Sequence, residues 1–220
     1  MKKIKLTKKK KQILTIIILF LVCIIYTVLV KFYDTNAIGP KNTIVGFSAL
    51  NALFSNLTGY NEFFYKLTEY LGFVPFVIVG FYGVTGLLQL IKRKNLLKVD
   101  KRLLFLGGFY LVVLLIYVFF EHVIINYRPF LIDNELEASY PSSHTMLALC
   151  VCLSSLLINK YYIKNKKVLK GINIAIVILM FILVIGRVLS GAHWITDIIG
   201  GIIISAFLVY TYEYLITKDK

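Results

Sequence analysis

Six stretches of the chain are uncharged and dominated by Leu, Ile, Val and Phe: residues 12–30, 70–91, 103–120, 145–159, 171–186 and 198–212. A helix that crosses a bilayer needs about 20 mostly apolar residues. The first three stretches reach that length or nearly so. The last three are shorter because each gives up about a turn to a polar motif, holding His144, Arg187, or His193 with Asp197. Those motifs therefore read as the ends of the helices. The pattern predicts an all-α polytopic membrane protein, a single domain over residues 1–220 with six spans. A basic segment, 1–11, precedes the first span, and an outer interfacial segment, 32–69, separates the first from the second.

A seventh span over 42–61 competes with this reading, since it too lacks charge. It carries Asn42, Thr43, Ser48, Asn51, Ser55, Asn56, Thr58 and Asn61. So many polar groups suit an interfacial position with short amphipathic helices better than a lipid interior. No internal repeat, low-complexity tract or interdomain linker is visible.

Composition supports the membrane class: 59% of residues are hydrophobic and the mean hydropathy is +0.80. The formal charge of +14 raises the question of nucleic acid. The basic residues, however, fall in blocks between apolar runs rather than on one aromatic-interleaved face, and nucleic-acid binding is not expected. The basic start followed by residues 12–30 has the outline of a secretory signal, but the run is long for one and no small-residue cleavage pattern follows. An uncleaved first span is expected. Cys23, Cys150 and Cys152 all lie in apolar runs without His or Cys at ligand spacing, and they read as buried thiols.

Orientation follows from Lys and Arg, which gather on the cytoplasmic side of membrane proteins. With the N-terminus inside, segments 1–11, 92–102, 160–170 and the tail hold 7, 6, 5 and 2 basic residues, 20 of the 25 in the chain. Only Lys31, Lys41, Lys66, Arg128 and Arg187 fall outside. Both termini are expected in the cytoplasm, and a seventh span would place the basic loops on the wrong side.

This topology brings "EHVIINYRPF", "SYPSSHTM" and "GRVLSGAHWITD" to the outer face. Ionisable residues at membrane depth are costly and mark functional sites. Arg128 and Arg187 offer forked donors, and Ser142 and Ser143 open a helix with hydroxyls and free N–H groups, a set that suits phosphate. Histidines His144 and His193 can divide nucleophilic and acid–base work near neutral pH. Asp197, four residues after His193, shares its helical face and can orient the imidazole. The set reads as phosphoryl transfer without a metal.

Arg128-Pro129, Pro141-Ser142-Ser143-His144, and Arg187 with His193 and Asp197 resemble the three signature motifs of the type 2 phosphatidic acid phosphatase family, K-x6-RP, PSGH and SR-x5-H-x3-D. The resemblance covers most of the chain. It implies a six-helix lipid phosphatase with its site on the outer face and no cofactor or metal. It further implies His193 as nucleophile forming a phosphohistidine, Asp197 as its partner, and His144 as the acid and then the base. Arg128, Arg187, Ser142 and Ser143 are implied to bind the phosphoryl oxygens. The expected partners are the bilayer and a lipid phosphate, with phosphatidic acid, phosphatidylglycerophosphate and undecaprenyl diphosphate as candidates. A lipid phosphotransferase and a non-catalytic lipid-phosphate binder or transporter are the alternatives.

Three positions depart from the family pattern. Glu121 stands where the first motif has lysine, Ser143 replaces the glycine of PSGH, and Gly186 replaces the serine before the third-motif arginine. A carboxylate at 121 would repel phosphate unless protonated, turned away or paired with an arginine. Elsewhere, His122 reads as interfacial packing, and Asp133, Glu135 and Glu137 read as a solvated loop. The aromatic group Tyr60, Phe63, Phe64 and Tyr65 reads as an interfacial belt.

Overall fold

The structure, a computed structural model, describes residues 7–132 and 134–217. Residues 1–6 of the basic N-terminal segment, and Asp133, lie outside the described part. Among the described residues, eight α-helices follow one another: α1 (Lys8–Phe32), α2 (Ser48–Thr58), α3 (Glu62–Leu71), α4 (Phe73–Arg93), α5 (Lys101–His122), α6 (Ser143–Tyr162), α7 (Lys166–Ser190) and α8 (Ile195–Thr217). Six helical units are long and apolar enough to cross a membrane, with α3 and α4 joined into one of 32 residues, Glu62–Arg93. All six expected spans are present. The competing segment 42–61 contains only α2, 11 residues long, about 16 Å at 1.5 Å per residue and too short to span.

Polar residues set where these helices begin. Asp100 accepts from the Arg102 amide to start α5, Asn165 from Lys167 and Val168 to start α7, and Asn61 from Phe64 to start α3. These satisfy amides that the first helical turn leaves unpaired. α7 ends on Gly191, whose φ of 62° is left-handed. A Cβ there would also meet the Gly59 carbonyl oxygen at 1.8 Å, so the turn before α3 lies directly on the end of α7, tied by the Asn61 amide to the Ser190 carbonyl.

α6 and α8 are the most buried helices and pack on each other, with α1 and α5 flanking α8 and α7 flanking α6. Small residues let α6 and α8 approach: the Ser205 hydroxyl donates to the Gly201 carbonyl at 2.7 Å and accepts from the Cys150 thiol at 3.5 Å. Close packing of this kind replaces the hydrophobic driving force that helices lack inside lipid. Large apolar side chains such as Ile25, Phe81, Leu115, Ile178 and Phe181 point outward and remain exposed, as a surface solvated by acyl chains requires. The three cysteines are free, with Cys150 and Cys152 buried.

One end of the bundle is built up by α2, α3 and the 123–142 loop. Asn51 of α2 is fully buried and fixes the start of α8, donating to the Thr196 hydroxyl at 3.0 Å and to the Gly46 carbonyl at 2.7 Å. The 123–142 loop doubles back on itself: the Arg128 amide donates to the Glu137 carbonyl and the Ser139 amide to the Asn126 carbonyl. Asn126, Arg128 and Ser139 are thereby held together over the starts of α6 and α8.

Candidate active site

His193 sits in the turn between α7 and α8, 6% exposed. Its Nδ1 lies 3.0 Å from the Ser139 hydroxyl oxygen and 3.1 Å from the Ser139 carbonyl. The Ser139 hydroxyl donates its proton to Asp197 Oδ2 at 2.6 Å. Ser139 therefore has only acceptors left for the histidine, and the proton of the imidazole is on Nδ1. That leaves a lone pair on Nε2, which faces Arg128 Nη1 at 3.3 Å. Burial holds the His193 pKa well below the ordinary imidazole range, and the charges of Arg128, Arg187 and His144 depress it further. It is a neutral imidazole.

Asp197 does not touch His193 directly. The expected contact between residues four apart is replaced by a bridge through Ser139, because the carboxylate points back at the loop. Asp197 Oδ1 accepts from Asn126 Nδ2 at 3.1 Å, and Oδ2 accepts from the Trp194 amide at 3.2 Å as well as from Ser139. Trp194 is itself anchored by its indole N–H on the Tyr127 carbonyl at 2.7 Å. Every donor to this fully buried carboxylate is uncharged.

The two arginines come from different elements, and the charges of both act on His193. Arg187, in the last turn of α7, has a completely buried side chain. Its Nη2 contacts Glu69 Oε1 at 2.5 Å, and its guanidinium lies 5.3 Å above the Tyr65 ring. Its Nε and Nη1 are buried without a hydrogen-bond partner among the described residues. Arg128 also donates from Nη1 to the Ala192 carbonyl at 3.4 Å, and its Nε forms an ion pair with Glu137 at 3.1 Å. Buried guanidinium N–H groups without partners are expensive. An oxyanion such as a phosphoryl group would satisfy them.

His144, at the second position of α6, places Nε2 3.3 Å from the same Glu69 oxygen, while its Nδ1 is buried and unpartnered. Ser142 and Ser143 part company. Ser142 is the N-cap of α6, its hydroxyl accepting from the Thr145 amide at 3.5 Å, and its own amide is bonded to the Asp197 carbonyl at 3.0 Å. It is spent on joining α6 to α8, which removes its amide from the expected phosphate set. Ser143 faces the cavities beside His144 and His193. Glu121 is exposed and pairs with neither arginine; the carboxylates that do are Glu137 and Glu69. His122 is exposed at the end of α5 with Nδ1 on the Val118 carbonyl, outside the site.

An apolar cavity of about 610 Å³ runs from this cluster between α4, α5 and α6. Glu69, Ser143 and His144 stand at its head, and Phe73, Phe76, Val79, Leu114, Leu147 and Val151 line its length. Three residues of the cluster, Glu69, Asn126 and Ser139, have no role assigned from the sequence, and Glu137, expected in a solvated loop, pairs with Arg128 instead. Ser139 was adjacent to a recognised motif, and Glu69 was the ionisable residue immediately before an apolar run.

Comparison with known proteins agrees with the six-span fold. The chain resembles the crystal structure of the transmembrane PAP2-type phosphatidylglycerolphosphate phosphatase from Bacillus subtilis, with a TM-score of 0.59 and 21% identity over 93% of this chain and 97% of that one. No curated protein matches the sequence. The sequence profile of the PAP2 superfamily matches residues 102–219, from the start of α5 to the end of α8, and the chain belongs to the PAP2 superfamily.

Proposed function

We propose that the protein hydrolyses the phosphate of a membrane lipid through a phosphohistidine on His193. The observation that carries this reading is the neutral His193, whose Nε2 faces Arg128, within electrostatic reach of Arg187, whose Nε and Nη1 are buried and unpartnered. The apolar cavity of about 610 Å³ headed by Glu69, Ser143 and His144 offers room for a lipid chain. In this reading Nε2 attacks phosphorus in line, the bond to the lipid oxygen breaks, and His144 protonates that oxygen. Water activated by His144 then cleaves the phosphohistidine. Arg128 and Arg187 stabilise the charge that spreads over the phosphoryl oxygens, which makes a metal unnecessary.

The Lys and Arg distribution supports a site open to the outer leaflet, with both termini in the cytoplasm. The cavity suits the chain of phosphatidic acid, phosphatidylglycerophosphate or undecaprenyl diphosphate. Protein purified in detergent, given each of these lipids in excess EDTA, should release phosphate from at least one of them. His193→Ala should abolish that release. Absence of release from the whole panel would overturn the phosphatase reading, and loss of activity in EDTA would overturn the metal-free mechanism.

A further inference from the structure

Glu69 belongs to no recognised motif and lies outside the 102–219 segment that carries the family profile. Even so, its Oε1 is the meeting point of two site residues, 2.5 Å from Arg187 Nη2 and 3.3 Å from His144 Nε2. The fold is arranged to bring it there. A Cβ at Gly186 would stand 2.6 Å from Thr68 Cγ2, so the glycine at this position lets α3 lie against α7. Thr68 has little freedom to retreat, because it is fully buried and its hydroxyl is bonded to the Phe64 and Tyr65 carbonyls at 2.8 and 2.9 Å. Glu69 follows Thr68 directly. The glycine that departs from the family motif thus makes room for the helix that carries Glu69 to Arg187.

The nitrogens this contact leaves open are Nδ1 of His144 and Nε and Nη1 of Arg187, all buried and without hydrogen-bond partners. Glu69 thus engages the back of each group and leaves its other donors for a ligand. We propose that Glu69 is a positioning residue for the acid–base histidine, holding His144 through Nε2 so that Nδ1 exchanges protons with the leaving oxygen and with water. This rests on the phosphatase reading.

The proton count closes with one tautomer throughout. As imidazolium, His144 directs Nε2–H at Glu69 and Nδ1–H at the lipid oxygen. When the P–O bond breaks, its electron pair stays on that oxygen, which takes the Nδ1 proton. The neutral ring keeps its proton on Nε2, facing the carboxylate. Its Nδ1 lone pair then accepts a proton from water as the water oxygen attacks the phosphohistidine and the P–N bond breaks toward His193. Without Glu69 the neutral ring is free to carry its proton on Nδ1, where it can no longer serve as the base.

The test is Glu69→Gln, nearly the same shape without the charge. Its kcat on a lipid phosphate should fall on the order of 10–100-fold, as for loss of a partner that orients a functional histidine. KM should stay the same or drop, because Arg187 loses a competing carboxylate. With p-nitrophenyl phosphate, whose leaving oxygen needs no protonation, the loss in the phosphohistidine-forming burst should shrink to within about threefold. Equal losses on both substrates, an unchanged kcat, or a lower KM alone would overturn the proposal. A readout independent of turnover is ¹⁵N-histidine NMR at alkaline pH, with the His144 signals identified by their loss in His144→Gln. The wild type should show His144 with its proton on Nε2, and Glu69→Gln a mixture; identical spectra would refute the role of Glu69 even if the protein proved not to be a phosphatase.

Discussion

Removal of the Ser139 hydroxyl is the sharpest perturbation the site offers, because a single oxygen links the buried Asp197 to His193, the proposed nucleophile. Ser139→Ala deletes the 2.6 Å bond to Asp197 and the 3.0 Å contact with His193 Nδ1, but leaves Nδ1 its 3.1 Å partner in the residue's own carbonyl. The tautomer of His193 should therefore survive. What is lost is the path by which, in the proposed mechanism, Asp197 stabilises the positive charge that His193 acquires on phosphorylation. A hydrogen bond to a charged group contributes about 1.5–3 kcal/mol, and each 1.36 kcal/mol is tenfold in rate. The kcat should thus fall about 10- to 150-fold, with KM little changed. Asp197→Asn should fall at least as far, and the double variant no further than the worse single one, since both changes break the same link. Initial rates of phosphate release from the four proteins of this cycle provide the assay. Multiplying losses, or a Ser139→Ala enzyme within twofold of wild type, would show that Asp197 acts on His193 by another route.

Three further outcomes follow from the same geometry. His193 is neutral in the fold with its pKa depressed, whereas the unfolded chain takes up a proton near the ordinary histidine value of about 6.5. Its contribution to stability is therefore complete above that pH and is lost as the pH falls below it. Melting temperatures at pH 7.5 and 5 should diverge more in the wild type than in His193→Gln, and equal divergence would contradict the assignment. Glu121→Lys places the family's usual lysine at an exposed position that pairs with neither arginine. It should lower KM for a lipid phosphate by no more than about fivefold, the scale of an exposed charge interaction, and a fall in kcat would show that Glu121 has a role of its own. Leu147→Trp adds bulk to the wall of the 610 Å³ cavity. It should raise KM for long-chain lipid phosphates at least several-fold and leave p-nitrophenyl phosphate hydrolysis unchanged; parallel losses on both would disconnect the cavity from substrate binding.

What the sequence made legible was governed by periodicity and by short-range spacing. Uncharged runs set the six spans, and polar interruptions placed His144, Arg187, His193 and Asp197 at helix ends, where the structure finds them. Spacing could not predict which atoms meet. Residues 193 and 197 share a helical face only if the helix already runs through both, but α8 starts at Ile195. His193 lies in the preceding turn, its ring on Ser139 rather than on the carboxylate. Ser142 was likewise read from its hydroxyl and amide as a phosphate ligand, whereas the chain uses both to cap α6 and to tie it to α8.

Glu69 shows why the remaining part was hidden. A carboxylate next to an apolar run carries no sign of its partner when the partner is 118 residues away, and nothing in the local pattern distinguishes it from a headgroup-level anchor. The interpretable mark was at the other end of the contact, in a glycine where the family has serine. Read alone, Gly186 is a small residue replacing a small residue. With α3 in place it is the space that Thr68 fills, and the departure becomes a statement about which helix must approach α7. Glu121 reads the same way in reverse. A carboxylate at a lysine position looked like a defect in the phosphate clamp, but in the fold it stands apart from both arginines while Glu69 and Glu137 take up their charge. The two arginines draw their carboxylates from different elements, and no window of sequence short enough to form a motif contains both Glu69 and Arg187.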